Sequence, residues 1–200
     1  MTIVLTGDSI TDAGRDRSDL LSHGDGYAAL VAAALPKTQV INTGISGNRV
    51  VDLQDRWETD VLAHSPAVLS IKIGINDTWR RYDADDPTDV EPFEAGYREL
   101  VIRAQAAGVG RIILVEPFLL PVRRDQWDWR EDLDPKIQAI RRVAYDLGTG
   151  YVATDGPLAQ RAAAIGPGGT AALAADGVHP TLDGHRLLAD LWLAEYHRTA

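Results

Sequence analysis

The segment TIVLTGDSIT (residues 2–11) joins a short, apolar, β-branched run to a turn that contains Gly7, Asp8 and Ser9. A near-continuous apolar run of this length is typical of a parallel strand that is covered on both faces. Ser9 follows this predicted strand directly, at the edge where open α/β sheets bind their ligands. The segment therefore predicts a buried strand that delivers a serine hydroxyl to the carboxyl edge of a sheet.

The same alternation of short strands and longer helical segments recurs along the whole chain. Strands are predicted at residues 3–6, 39–42, 68–73, 111–116 and 151–153. Helices are predicted at residues 27–35, 51–64, 92–107, 135–147, 157–165 and 182–196. This order indicates an α/β fold, a three-layer α/β/α sandwich around a central parallel sheet. No repeat and no Ser- or Pro-rich linker divides the chain, so residues 1–200 are expected to form one domain.

Composition excludes several classes of function. The net charge of −9 argues against nucleic acid or an anionic membrane surface as the main partner. The absence of cysteine excludes disulfides, thiolate zinc sites and iron–sulfur clusters, and no motif for a metal or a nucleotide cofactor is present. Met1 leads directly into the first strand, and no apolar run approaches the roughly 20 residues of a membrane span. We therefore expect a soluble, cytoplasmic protein that needs no cofactor or metal.

Polar, glycine-containing loops follow each of the first three predicted strands and carry Ser9, Gly47 and Asn76. Acyl transfer places negative charge on a carbonyl oxygen, and fixed hydrogen-bond donors stabilise that charge. The backbone N–H groups of Ser9 and Gly47 and the amide of Asn76 could supply three donors. Gly47 lacks a β-carbon, which would let its N–H approach closely. Taken singly, each of these motifs is also an ordinary turn or helix cap.

Asp176 and His179, near the far end of the chain, could complete a catalytic triad with Ser9. A serine hydroxyl needs a base to take its proton, and a carboxylate three residues before a histidine can orient its ring. Asp176 could instead cap the entry to the last helix. The other four histidines lie on or beside predicted helices or in a polar loop, where a structural role explains them. Together the motifs favour nucleophilic catalysis with Ser9 as the nucleophile, His179 as the base and Asp176 as its orienting group.

The four blocks Gly-Asp-Ser-Ile-Thr, Gly47, Gly-x-Asn-Asp and Asp-x-x-His resemble those of the GDSL, or SGNH, hydrolases. The family resemblance implies a flavodoxin-like sandwich, a nucleophile and oxyanion donor at Ser9, and further donors at Gly47 and Asn76. It also implies that His179 is the base and that Asp176 orients it. Ile10 stands where the family name has leucine, an exchange that leaves the chemistry unchanged.

A narrower similarity points to bacterial intracellular acetylxylan esterases. It rests on GDSITDAGR (7–15), GISGN (44–48), Asp52-Leu53 with Arg56-Trp57, and IGINDTWRRYD (73–83). This similarity implies a serine esterase that removes acetyl groups from short xylo-oligosaccharides and forms a homo-oligomer. The sequence departs from that pattern after Phe118. Residues 122–132, with Trp127 and Trp129, are predicted to form a loop whose exposed tryptophans mark a contact surface.

Residues around the predicted site are candidates for substrate binding. Trp79, Arg80 and Tyr82 suit the faces and hydroxyls of a sugar, although they would suit a subunit interface equally well. Asp8, beside the nucleophile, is a fourth candidate.

Asp12 and Arg15 could order the turn behind Ser9 or form a simple surface pair. Other esters remain open as substrates, namely a lysophospholipid, an acyl thioester or a small metabolite. A binding module without turnover is the alternative from another class.

Overall fold

The computed structural model describes residues 1–198, and its central feature is one sheet of five parallel strands. The strands are Thr2–Gly7 (β1), Gln39–Asn42 (β2), Val68–Lys72 (β3), Arg111–Val115 (β4) and Gly150–Val152 (β5). They lie in the order β2-β1-β3-β4-β5, and every neighbouring pair is parallel. All five predicted strands are confirmed, and their ends differ from the predicted ones by at most one residue.

The helices differ more from the sequence-based expectation. They are Ser9–Asp12 (α1), Tyr27–Ala34 (α2), Val50–Asp55 (α3), Trp57–Asp60 (α4), Ile75–Asp83 (α5), Val90–Ala106 (α6), Arg130–Leu147 (α7), Asp155–Ile165 (α8), Gly169–Leu173 (α9) and Leu182–His197 (α10), with 3₁₀ turns at Leu62–His64 and Arg124–Trp127. The helix predicted at residues 51–64 is divided into α3, α4 and a 3₁₀ turn, and α1, α5 and α9 were not predicted. Among residues 1–198, no helix is both long and apolar enough to cross a membrane.

The side chains of successive strand residues point to opposite faces of the sheet. The protein therefore has two apolar layers, one on each face. Ile3 and Leu5 pack with buried residues of α2, α8 and α10, while Val4 packs with residues of α3 and α6 on the other face. Both faces are covered, which explains why the strands are apolar throughout. The predicted three-layer α/β/α sandwich is confirmed.

The strand order creates a crevice at the carboxyl edge of the sheet. β1 lies between β2 and β3. The chain therefore runs from β1 to β2 on one side, and then from β2 to β3 on the other side of β1. Ligands of open α/β sheets bind outside the carboxyl ends of the strands at such a reversal. The segments that follow β1, β2 and β3 all begin at this edge, and they carry Ser9, Gly47 and Asn76.

Candidate active site

Ser9 is the first residue of α1, and only Asp8 separates it from the end of β1. The side chain of Asp8 caps this short helix, since its Oδ1 accepts a hydrogen bond from the backbone N–H of Ile10 at 3.0 Å. A β-carbon on Gly7 would lie 2.1 Å from the carbonyl oxygen of Lys72 in β3. Only glycine therefore lets the chain turn this close to the neighbouring strand, and the turn fixes the start of α1.

His179 lies beside Ser9, although 170 residues separate them in the chain. The distance from Ser9 Oγ to His179 Nε2 is 2.9 Å, and that from His179 Nδ1 to Asp176 Oδ2 is 2.7 Å. With the Nδ1 proton directed to the carboxylate, Nε2 is free to accept the proton of the serine hydroxyl. These three side chains have the relative geometry that a nucleophile, its base and an orienting carboxylate require.

Asp176 also shapes the loop that carries the histidine. Its Oδ1 accepts hydrogen bonds from the backbone N–H groups of Val178 at 2.9 Å and His179 at 2.7 Å. Burial opposes ionisation of Asp176, but the hydrogen bonds from His179 and Val178 outweigh it and hold the pKa of the carboxyl below its ordinary value. A carboxylate with a lowered pKa keeps the negative charge that stabilises a protonated imidazole.

The Asn76 side chain lies in the first turn of α5, at the end of β3. Its Nδ2 donates to the carbonyl oxygen of Asn48 at 3.0 Å, which ties α5 to the loop that contains Gly47. A side-chain amide has two N–H donors, so one remains for an oxyanion. Gly47 has φ +86°, and nothing lies within 4 Å of a β-carbon built there. Glycine is therefore favoured at position 47 by the left-handed backbone.

Asp12 and Arg15 hold this loop against α1. Asp12 Oδ2 accepts from the backbone N–H of Ser46 at 3.0 Å and from its hydroxyl at 2.8 Å. Arg15 Nε donates to the carbonyl oxygen of Gly44 at 3.0 Å. Burial opposes ionisation of Asp12, yet its hydrogen bonds with Arg17 and Ser46 lower its pKa. The pair thus orders the turn behind Ser9, which was one of the two expectations.

Arg56 is a structural support of the site whose role the sequence did not predict. Its guanidinium donates to the carbonyl oxygens of Thr43 at 2.7 Å and Gly7 at 3.1 Å, and to Asn48 Oδ1 at 2.7 Å. It therefore ties the ends of β1 and β2 to the Gly47 loop. Arginine alone among side chains offers five donors in a fixed fork. The break between α3 and α4 falls at this residue.

Buried charged side chains lie beneath Ser9. Asp8 and Lys72 are both fully buried. Burial raises the pKa of Asp8, and the ammonium of Lys72 acts in the opposite direction. Burial, together with the charges of Lys72 and His179, lowers the pKa of His185 to about 4, so this histidine is neutral near pH 7. Asp8 therefore caps a helix below the surface, which differs from the expectation that it contacts substrate.

An aromatic wall, formed by Trp79, Tyr82 and Trp129, lies beside His179. The ring centroids of Trp79 and His179 are 5.8 Å apart, and Trp129 lies 5.4 Å from both Trp79 and Tyr82. Trp129 is only 3% exposed, so the prediction that it is an exposed loop residue is wrong, whereas Trp127 is 63% exposed. Trp129 is buried because the rings of Trp79 and Tyr82, both in α5, pack against it.

Arg80, the remaining candidate, forms an ion pair with Asp83 within the same helix. Among residues 1–198, no group of three or more histidine, aspartate or glutamate side chains is arranged to hold a metal ion.

Comparison with known proteins agrees with this geometry. Residues 5–187 match the model of the GDSL-like lipase/acylhydrolase family. The chain is 36% identical to an acetylxylan esterase of Geobacillus stearothermophilus over 207 residues, which cover 96% of this chain and 92% of that protein.

Two solved structures extend the comparison. The crystal structure of the Geobacillus acetylxylan esterase superposes with a TM-score of 0.89 at 35% identity, covering 99% of this chain and 94% of the other. A protein of Parabacteroides merdae described as a GDSL-like lipase gives a TM-score of 0.90 at 33% identity, covering 97% and 94%. The chain belongs to the GDSL-like lipase/acylhydrolase family.

Proposed function

We propose that this protein is a carboxylic ester hydrolase that removes O-acetyl groups from carbohydrates through an acyl-enzyme on Ser9, with acetylated xylo-oligosaccharides as the favoured substrate class. The single observation that carries the proposal is the contact of 2.9 Å between Ser9 Oγ and His179 Nε2, with Asp176 behind the ring at 2.7 Å. The 36% identity to an acetylxylan esterase supports the choice of substrate.

The reaction proceeds in two steps. His179 Nε2 takes the proton of Ser9 as the hydroxyl oxygen attacks the acetyl carbonyl carbon, and Asp176 stabilises the imidazolium. The backbone N–H groups of Ser9 and Gly47 and the free N–H of Asn76 hold the oxyanion. His179 then returns the proton to the departing sugar alcohol. In the second step His179 activates a water molecule, which releases acetate and restores the Ser9 hydroxyl.

A sugar substrate is supported by the aromatic wall. Trp79 is partly exposed, and its ring lies close to that of His179, so an apolar sugar face can pack on it while an ester group reaches Ser9. Tyr82 is exposed at the outer end of the wall, and Trp129 stacks behind it at an interplanar angle of 12°. Rings that are buried on one side and open on the other bind planar apolar surfaces with little loss of side-chain entropy.

The test is an acyl-length series of p-nitrophenyl esters, from acetate to decanoate, with acetylated xylobiose assayed beside it. A sharp preference for acetate, with acetate released from the sugar, is the expected result. A maximum at hexanoate or longer would favour a lysophospholipid or thioester substrate instead. The Ser9→Ala variant, with its fold checked by circular dichroism, is the control, and the proposal fails if that variant keeps the wild-type rate.

The proposal includes a cytoplasmic location, a single folding unit over residues 1–200 and assembly into a homo-oligomer. The single unit is supported by the continuous five-stranded sheet, and assembly is supported by Trp127, a large apolar side chain that is 63% exposed. Light scattering of the purified protein measures the assembly directly, and a mass equal to one chain would remove that part of the proposal.

A further inference from the structure

Residues 120–126 run behind the loop of Asp176 and His179 and bond to its backbone at two consecutive positions. The backbone N–H of Leu120 donates to the carbonyl oxygen of Gly177 at 2.9 Å. The Nε2 of Gln126 donates to the carbonyl oxygen of Asp176 at 2.7 Å. The segment therefore holds the main chain of the loop that carries the carboxylate and the imidazole.

The orientation of the Gln126 amide is fixed from both ends. The side chain is buried, and its Oε1 accepts from the backbone N–H groups of Val122 at 2.9 Å and Arg123 at 3.2 Å. A reversed amide would set its oxygen against the carbonyl of Asp176 and its NH₂ against two N–H donors. Because only one orientation satisfies these partners, Gln126 is a rigid link between the segment and the catalytic loop.

Gly177 lies where the loop of Asp176 and His179 packs closely against residues 120–126. Its φ is +89°, and a β-carbon there would lie 2.8 Å from the carbonyl oxygen of Leu120 and 2.8 Å from Gln126 Oε1. The two segments are thus in contact where the loop turns.

The catalytic loop needs such support because its side chains are half exposed. The side chains of His179 and Asp176 are 45% and 41% exposed, so water competes for their hydrogen bonds. The bonds of Asp176 with Val178 and His179 shape the loop internally, but they do not set its distance from Ser9.

We propose that Gln126 is a positioning residue for the reaction: its buried amide holds the Asp176 carbonyl so that His179 Nε2 stays within reach of Ser9 Oγ. This inference rests on the roles of Ser9, His179 and Asp176 in the proposed function. Gln126 acts through the loop and does not touch the substrate. A displacement of about 1 Å at a reacting group can lower a rate about a hundredfold, which is why a remote amide can control turnover.

The decisive variant is Gln126→Glu, because its side chain can donate to Asp176 only when protonated. The neutral acid keeps an oxygen for Val122 and Arg123 and a hydroxyl for the Asp176 carbonyl. The ionised form sets a carboxylate against that carbonyl. The other charged groups on the two segments are Arg123, Arg124 and Asp125 beside the amide, and Asp176 and His179 across from it. We expect kcat of the variant to fall about tenfold or more as its carboxyl ionises, with KM changed less than about twofold.

Gln126→Met and Gln105→Glu complete the set of variants. The methionine variant has no donor at any pH, so its kcat should be reduced at every pH. Gln105 donates to the carbonyl of Leu147 at 2.9 Å on the surface and has no contact with the catalytic loop, so Gln105→Glu should keep the wild-type pH profile. Wild-type kcat in both Gln126 variants would overturn the inference. So would a loss in Gln126→Glu that is the same at every pH.

Proton NMR separates this inference from the proposed function. The Nδ1 proton of His179, bonded to Asp176, should give a far-downfield resonance that is preserved in Gln105→Glu and is shifted or lost in Gln126→Met. If wild type hydrolyses none of the esters but the resonance still depends on Gln126, the proposed function fails and the positioning role stands. An unchanged resonance in folded Gln126→Met would overturn the positioning role whatever the activity.

Discussion

Replacing Asp77 by asparagine should stabilise the protein in a way that depends on pH. Asp77 lies in the first turn of α5, is 1% exposed, and accepts from the backbone N–H of Val50 at 3.3 Å through both carboxyl oxygens. Burial raises its pKa from 3.8 to about 7, against the smaller effects of the Val50 N–H, Lys136 and Arg49. The folded protein thus binds this proton more tightly than the unfolded chain does.

The size of the effect follows from linkage. A tenfold change in proton affinity corresponds to about 1.4 kcal/mol, so a rise from 3.8 to about 7 corresponds to about 4 kcal/mol. The stability contributed by protonated Asp77 is fully present below pH 4 and is lost as the pH rises through about 7. An asparagine at this position still offers an oxygen to Val50 and carries no charge at any pH, so Asp77→Asn escapes this loss.

The assay is urea unfolding of wild type and Asp77→Asn at a series of pH values from 4 to 8.5. The free energy of unfolding of the variant minus that of wild type should rise by about 4 kcal/mol across the series. The cost of placing an uncharged NH₂ group in the pocket does not depend on pH, so it cancels from this change. Asp134→Asn, at an exposed position on α7, is the control for a general effect of lost charge. A difference between variant and wild type that stays flat across the series would refute the reasoning.

Three further predictions follow from the site. Asn76→Ala should lower kcat about 10² to 10³-fold if its free N–H stabilises the oxyanion, and steady-state kinetics with an acetate ester would show this as a change in kcat rather than KM. Gly47→Ala should lower the free energy of unfolding by about 1–2 kcal/mol, the cost of a left-handed non-glycine residue, and an unchanged urea midpoint would contradict the φ of +86°. Trp129→Ala should cost about 3–5 kcal/mol in the same assay, because it leaves a cavity behind the rings of Trp79 and Tyr82; a loss below about 1 kcal/mol would mean that the wall does not pack as described.

The strands and the central motifs were predictable because their signals are local. An apolar run bounded by polar turns identifies a buried strand, and Ser9, Gly47 and Asn76 each follow one. The carboxyl edge of a parallel sheet then brings them together. The position of Asp176 three residues before His179 is also a local signal, and the carboxylate and the ring do meet at 2.7 Å.

The helices were harder to predict where function or long-range packing decides them. Asn76 and Asp77 lie in the first turn of α5, and their polar side chains suggested a loop, although an acidic residue in a first turn favours a helix. The proline at position 135 suggested a helix start, yet α7 begins at Arg130 and includes it. The continuous helix expected over residues 51–64 breaks at Arg56, whose guanidinium bonds to carbonyls at the strand ends.

The burial of Trp129 depends on contacts that no local pattern records. Its partner Tyr82 lies on a different helix, and flanking charges suggested an exposed segment. Gln126 is a similar case, since a polar residue among Arg123, Arg124 and Asp125 gives no sign that it is buried and bonded to Asp176, 50 residues away. The burial and the contacts of such residues can be identified only from the folded structure, which brings the distant segments together.

The central claim is that Ser9 carries the acyl group, and trapping that intermediate tests it most directly. The protein would be mixed with p-nitrophenyl acetate, quenched in acid within the first turnovers, digested and analysed by mass spectrometry. We predict one acetyl group per chain on the peptide that contains Ser9, together with a matching burst of p-nitrophenol, and neither in Ser9→Ala. Steady turnover with no acetylated peptide and no burst, or an acetyl group on another residue in an active protein, would contradict the account.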